Sequence, residues 1–453
     1  MKRISFLTSC LFFFSMMDAQ TNPAILSWLQ NTTGILGRHY VAGNYTPIND
    51  ADSANVQTVL YSSSFVYVRT KGVPAYITGP FLDGNPSRTS SQNAIFKFPL
   101  TPAQNTGAPI NTTGGNIGVF INGVAMFDYR DGVSWKNDSS KLKGGPFGGM
   151  GDNVWNRDAV VAERVGFDCA KGHPAMGNYH HHQNPSAFNL DRSVISTVCN
   201  LYAADGLYTI DSAAHSPLIG FSYDGFPVYG AYAYKNADGT GGIVRMKSSF
   251  AKRSISTRTA YADGSTVTPG PPVSATYPLG YFKEDYEYIP TSAGTPDYLD
   301  QHNGRFCITP EYPAGMYCYF ATVDNNWNSA YPYLIGPTYY GTKTASKVTN
   351  ISESVTQYTA VLNNISAASA KALNVVIYPN PATDLVAVQL NDLTKKDIQV
   401  ELYDMMGKFV QSTTIYQGST IAYFDTRILY NGDYVVRIHD GKDIISKKIS
   451  VLK

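Results

Sequence analysis

Residues 117–127 read "IGVFINGVAMF". Apolar residues run up to Asn122-Gly123 and resume after it, the pattern of two strands joined by a tight hairpin turn. The same grammar recurs upstream in "SSFVYVRT" (63–70), where apolar and polar side chains alternate with the period of a strand. Working outward from these stretches, residues 20–342 read as one large, mainly β body. Helix candidates are few: Pro23 to Gln30 and Leu190 to Tyr202. Arg258 to Tyr277 is rich in Pro, Gly, Ser and Thr and reads as a long exposed loop.

Composition agrees with strands and tight turns. The chain has 453 residues, with 33 Tyr, 39 Gly and 25 Pro, and only 15% of its residues are charged. Lys+Arg number 35 against 34 Asp+Glu, so bulk charge gives no reason to expect nucleic acid or an anionic membrane as a partner.

The first 19 residues read as an export signal. Lys2 and Arg3 precede an apolar run, Ile4 to Met17, too short for a membrane span, and Ala19 offers a cleavage position before Gln20. "LTSC" at 7–10 is a poor lipoprotein box, because the apolar core follows Cys10 instead of preceding it. Without Cys10, four cysteines remain: Cys169, Cys199, Cys307 and Cys318. An even count in an exported chain points to disulfides, with three pairings open. "FCITPEYPAGMYCY" reads as a hairpin turning near Pro313-Ala314-Gly315, which predicts a Cys307–Cys318 bridge and leaves Cys169 with Cys199.

After Tyr340 the composition shifts to small polar residues, and 343–372 reads as a linker. Short alternating strands return over 373–453 and predict a small immunoglobulin-like β-sandwich. Within it, "YPNPATDLVAV" (378–388), "ELYDMMGKFV" (401–410), "LYNGDYVVRI" (429–438) and "KKISVL" (447–452) stand in order up to the end of the sequence. This segment resembles the type A sorting domain of the type IX secretion system of Gram-negative bacteria. An adhesive immunoglobulin-like module would account for the strands but not for this motif set. The resemblance implies the type IX machinery as a partner, a periplasmic step, and a final place outside the cell or on its surface.

"GFDCAKGHPAMGNYHHHQNP" carries the chemistry. On a strand from Tyr179 to Gln183, His180 and His182 share one face and His181 points away. His173 lies one tight turn upstream, beyond Pro174 and Gly177, and is expected to fold back to the same place. Imidazoles at this spacing suit zinc or copper, with Asp168 as a further oxygen or an orienting group. His215 and Asp224 in "HSPLIGFSYDGFPVYGAY", and His302 and Asn303 in "LDQHNGRF", are expected to converge on the cluster. Idle surface histidines, or buried ones satisfied by Tyr and Asp, are the competing account. No His-Glu-x-x-His, no phosphate-loop Lys-Ser/Thr after "GGPFGGMGDN" and no Gly-x-Ser-x-Gly elbow is present.

The order of "GVPAYITGPF", "GVFINGVAMFD", "FDCAKGHP", "NYHHHQNP", "HSPLIGFSYDGFPVYG" and "HNGRFCITPEYPAGMYCYF" resembles the YHYH family from about Val66 to Phe320. The second Tyr of the eponymous tetrapeptide is His181 here. The resemblance implies a site at His173, His180, His182, His215 and Asp224, with His302 and Asn303 behind them. It names no reaction. The leading expectation is a metal-dependent hydrolase, with Asp224 and His215 as catalytic groups acting on an extracellular substrate. The alternative is a surface binding or adhesion module whose tyrosines stack on glycans and whose metal is structural or absent. Copper capture or redox work fits paired imidazoles, but no Met-rich tract accompanies them.

Overall fold

The computed structural model describes residues 22–185, 212, 214–358 and 375–453, apart from 33, 42–43, 85–86, 169, 292–294, 326–327, 345, 391–393, 395, 406–407 and 440–443. The export signal, the helix expected at Leu190 to Tyr202, and Cys169 and Cys199 lie outside the described residues. The chain is mainly β and forms two compact units, 1–359 and 360–453.

The first unit is built on an eight-stranded sheet. In chain order its strands are β1 (Asn116–Phe120), β2 (Ala125–Phe127), β3 (His173–Ala175), β4 (Asn178–His181), β5 (Leu218–Ser222), β6 (Pro227–Tyr229), β7 (Gly304–Cys307) and β8 (Met316–Phe320). Across the sheet they run β3-β4-β2-β1-β5-β6-β8-β7. Ile117, Val119, Phe120, Val124 and Met126 are all fully buried, because β1 and β2 are covered on both faces.

The turn between β1 and β2 differs from a two-residue Asn-Gly turn. Gly123 N–H donates to Phe120 O and Phe120 N–H to Val124 O, closing a three-residue loop with Gly123 at φ 82°. That left-handed position favours glycine, and a Cβ there would run into Thr70.

A five-stranded sheet, Ser346–Val348, Ala94–Pro99, Phe65–Thr70, Val56–Tyr61 and Thr356–Tyr358 in spatial order, shares one apolar core with the first. Trp28 joins them, its ring centroid 5.5 Å from Phe98 and 5.3 Å from Phe221. The two outer strands correct the expected linker. The body does not stop at Thr342, since 346–348 and 356–358 pair as its sheet edges.

Arg258 corrects the reading of 258–277 as simply exposed. It is buried, holds Asp285 through two bonds of 2.7 and 2.8 Å, and donates to three loop carbonyls. The loop is tied down mainly by side-chain donors, Arg258 together with Arg253 on Ala260 O and Tyr261 O and Trp155 Nε1 on Thr268 O, with one isolated bridge between Ala260 and Thr266.

The Cys307–Cys318 bridge is also corrected. Both are buried free thiols. The β7–β8 register sets Cys307 opposite Met316 and Cys318 opposite Arg305, so the two are diagonal neighbours and not a facing pair.

The second unit is a sandwich. Val375–Tyr378, Leu385–Leu390 and Ile421–Asp425 form one sheet; Phe409–Ile415, Ile398–Asp404, Gly432–His439 and Ile444–Val451 form the other. Val386, Val388, Val400, Leu402, Val436 and Ile438, inward-facing at every second position, build its core. The fold expectation of a β body plus a small β-sandwich holds.

Candidate metal centre

The site begins with a hairpin. Strands β3 and β4 pair antiparallel with His173 opposite His180 and Ala175 opposite Asn178. The two residues between, Met176 and Gly177, have φ of 52° and 85°, the mirror-image turn that short hairpins prefer. Strand β4 also lies parallel to β2, with His180 beside Ala125. The chain leaves the strand after His181, yet His182 still swings to the face of His180.

Three imidazoles therefore converge. The Nε2 atoms of His180 and His182 stand 3.1 Å apart, and those of His173 and His182 3.4 Å apart. All three residues are buried. The remaining ring nitrogens of two of them are engaged by backbone: His180 Nδ1 donates to Asn178 O at 2.8 Å, and His182 Nδ1 donates to Asp128 O. Those bonds fix Nε2 as the free lone pair on both rings. Phe127 stacks on His180 with centroids 3.7 Å apart, and Phe167 meets His173 edge-on at 4.8 Å.

Glu163 completes the cluster and was not among the residues singled out from the sequence. It caps the C-terminus of a short helix, Ala159–Ala162, whose N-terminus is capped by Asp158. Its Oε2 lies 3.3 Å from His173 Nε2 and 3.4 Å from His182 Nε2 without making a directed hydrogen bond. A pocket of about 190 Å³ opens onto these groups between Gly114, Gly115, Arg130 and Asp131.

The electrostatics split the histidines. Burial pushes His173 down to about 4 and His180 well below its ordinary value. Burial acts on His182 too, but the Glu163 carboxylate outweighs it and holds His182 above 6.5. Burial likewise pushes Glu163 up, yet contact with His182 holds it below its usual range. Asp131, on the pocket wall and paired with Arg157, is pushed up to about 6 by burial.

These donors fit a metal ion. Groups bound at about 2.0–2.1 Å in a tetrahedron stand about 3.3 Å from one another. Two of the three Nε2 separations and two Glu163 contacts, 3.1 to 3.4 Å, fall around that figure, and the three histidine nitrogens as a set lie within 4.8 Å of one another. His173, His180 and His182 together could hold such an ion.

His181 is not part of the cluster, as expected, but it is not idle. It is fully buried on the opposite face, with Nε2 2.6 Å from Tyr76 Oη and Nδ1 3.0 Å from Lys171 O. Asp168 corrects the expectation of a ligand or histidine partner. Its carboxylate accepts from Gly79, Ala170 and Gly172 N–H and from Tyr179 Oη, so it shapes the turn leading into β3.

The other expected members are elsewhere. Asp224 sits in the β5–β6 turn, accepting from Tyr319 Oη at 2.6 Å and Gly341 N–H at 2.8 Å. His215 bonds Ser216 O and packs against Tyr229 and Tyr234. His302 contacts Thr338, while Asn303, at φ 64°, donates to Phe320 O and Leu334 O. Across the sheet β5 and β6, which flank Asp224 and follow His215, are three and four strand spacings from β4, roughly 14 and 19 Å, and β7, next to His302 and Asn303, is six spacings away, roughly 29 Å. Asp224 and His215 as catalytic partners of the triad are therefore corrected.

Two family models match the chain. The model of the family described as YHYH protein covers residues 95–332, just over half of the chain. The chain belongs to the YHYH family. A second model, the secretion system C-terminal sorting domain, covers residues 376–452. This YHYH protein is consequently a client of the type IX secretion machinery and a secreted or cell-surface protein. No curated protein matches the chain.

Proposed function

We propose that this exported YHYH protein holds one zinc- or copper-class ion at His173, His180 and His182 and uses it in hydrolysis of an extracellular substrate. One observation carries the reading. His180 and His182 have their Nδ1–H groups committed to backbone carbonyls, so two Nε2 lone pairs face each other at 3.1 Å. A metal ion between the nitrogens meets both lone pairs and His173 at once; without one, a single proton on His182, favoured by Glu163, bridges to His180 while burial keeps His173 and His180 neutral. Three imidazoles and a carboxylate suit zinc and copper alike.

A bound ion of this class supplies a water whose pKa is lowered towards neutrality. The chain's own part is to hold three imidazoles in place with their Nε2 atoms together, keep Phe127 and Phe167 around them, and offer Glu163 as the proton acceptor at Oε2. The export signal read at residues 1–19 supports the same destination as the sorting domain.

A second reading has a specific observation behind it. Glu163 Oε2 lies 3.3 and 3.4 Å from two of the three histidine nitrogens, and were it to close the shell as a fourth ligand the metal would be structural and the body a surface binding module.

Metal analysis of protein purified without chelator tests the site. The expected result is one ion per chain, lost in His180→Ala. A metal-free parent that also fails to take up added zinc overturns it. Glu163→Gln then separates the two readings. As proton acceptor, Glu163 is dispensable for binding, and its loss abolishes hydrolysis of an activated ester such as 4-nitrophenyl acetate. As fourth ligand, its loss lowers zinc affinity.

A further inference from the structure

A second, larger depression lies beside the metal pocket. It encloses about 620 Å³ and shares its wall with the site: Val160 and Val161 of the short helix and Gln183 line the groove, while Glu163 and His182 line the pocket. The groove has three features that belong together. Four cationic residues, Arg164, Arg245, Lys247 and Lys252, face it with Asp324 on the lining, and Lys247 is paired with Asp297 at 2.6 Å, which leaves a formal excess of two positive charges. Aromatic rings form much of its floor, including Phe250 and Tyr286, with Tyr286 stacked on Tyr331 at 4.1 Å. Its polar lining is left wanting partners.

That last feature is the most specific. Gln183 is 1% exposed, and neither its Nε2 nor its Oε1 has a hydrogen-bond partner. Asn328 Oδ1 and Ser329 Oγ, also on the lining, are buried and unpartnered as well. Unmet buried polar atoms are costly, and those at a cavity wall mark where a ligand's groups belong. Gln183 Nε2 asks for an acceptor, whereas Gln183 Oε1 and Asn328 Oδ1 ask for donors. A bare anion can serve only the first. A polyhydroxylated ligand serves both.

We propose that this groove binds an acidic carbohydrate, a sugar chain carrying carboxylate or sulfate groups. The hydroxyls meet Gln183, Asn328 and Ser329. The acidic groups face Lys252, Arg245 and Arg164, and the apolar faces of the rings lie on Phe250 and Tyr286. Binding here does not depend on the metal, because no metal-ligand residue lines the groove. The shared wall sets any bound chain next to the histidine pocket.

The test is binding of the purified full-length chain, at physiological salt, to four probes: oligogalacturonate, dextran sulfate, neutral dextran and a single-stranded DNA oligomer. The expected result is binding to one or both acidic carbohydrates, about tenfold or more tighter than to dextran and to DNA. Selectivity between the first two names the acidic group. Lys252→Glu and Gln183→Leu should each weaken that binding by about tenfold, the scale of one or two lost hydrogen bonds to a charged or polar ligand. His180→Ala should leave it unchanged, so loss of the metal and loss of the groove are read separately. No binding to either acidic sugar, equal binding to dextran or DNA, or unaffected binding by both groove variants overturns the proposal.

Discussion

His180 Nε2 and His182 Nε2 lie 3.1 Å apart, with both rings locked by backbone acceptors so that neither can rotate the contact away. The relationship predicts a graded mutant series. His180→Ala and His182→Ala each remove a preset donor and should lower zinc affinity roughly 100-fold or more. His173→Ala should do likewise, since its ring is the cross-strand partner of His180. Zinc titration of the three variants and the parent checks this; equal affinity in all four would end the assignment.

His181 predicts a pH effect separate from metal. Burial pushes its pKa down to about 3, so the folded chain holds it neutral. Its contribution to stability is fully present above the ordinary value of 6.5 and is lost as pH falls towards 3, at roughly 1.4 kcal/mol per pH unit. A tyrosine does not titrate in that window. His181→Tyr should therefore flatten the acid-side decline of stability by one proton's worth while leaving zinc stoichiometry intact. Urea denaturation of metal-free protein between pH 6.5 and 4 measures the slope. An unchanged slope would show that His181 is not a buried neutral group in the folded chain.

The sequence made part of this site legible and hid the rest for physical reasons. The period of a strand placed His180 and His182 on one face, and Pro174 with Gly177 marked the turn that returns His173. Glu163 gave no signal, because a lone carboxylate at the end of a four-residue helix meets the histidines only through packing. Asp224, His215 and His302 were misplaced because motif order along the chain is not strand order in the sheet, where β6 pairs with β8 in parallel. Residues 346–358 read as linker because edge strands such as Ser346-Lys347 are exposed and show no apolar alternation. Cysteine spacing suggested a hairpin, correctly, but not its register.

The sorting domain predicts a localisation phenotype. Removing 373–453 takes away the whole described sandwich and should leave the body intact in the periplasm of the native host. Cell fractionation with an antibody to the body reads the result. Truncated protein reaching the surface or medium at parental levels would show that export does not use this domain.

Arg258 and Asp285 supply the last prediction. Both side chains are fully buried, and the guanidinium sits over Phe282 at 4.9 Å while bonding Pro271, Tyr277 and Pro278 carbonyls. Asp285 in turn accepts from Gly280 and Phe282 N–H. Arg258→Ala would strand a buried carboxylate and several carbonyls at once, a loss of about 3–5 kcal/mol. Arg258→Met with Asp285→Leu removes both charges and should cost less than the sum of the single changes. The damage should also be local first, since 258–277 has little strand pairing of its own. Denaturation of the single and double variants, with limited proteolysis across 258–277, tests both statements. Additive losses, or a parental cleavage pattern in Arg258→Ala, would mean that the loop is held by something other than this pair.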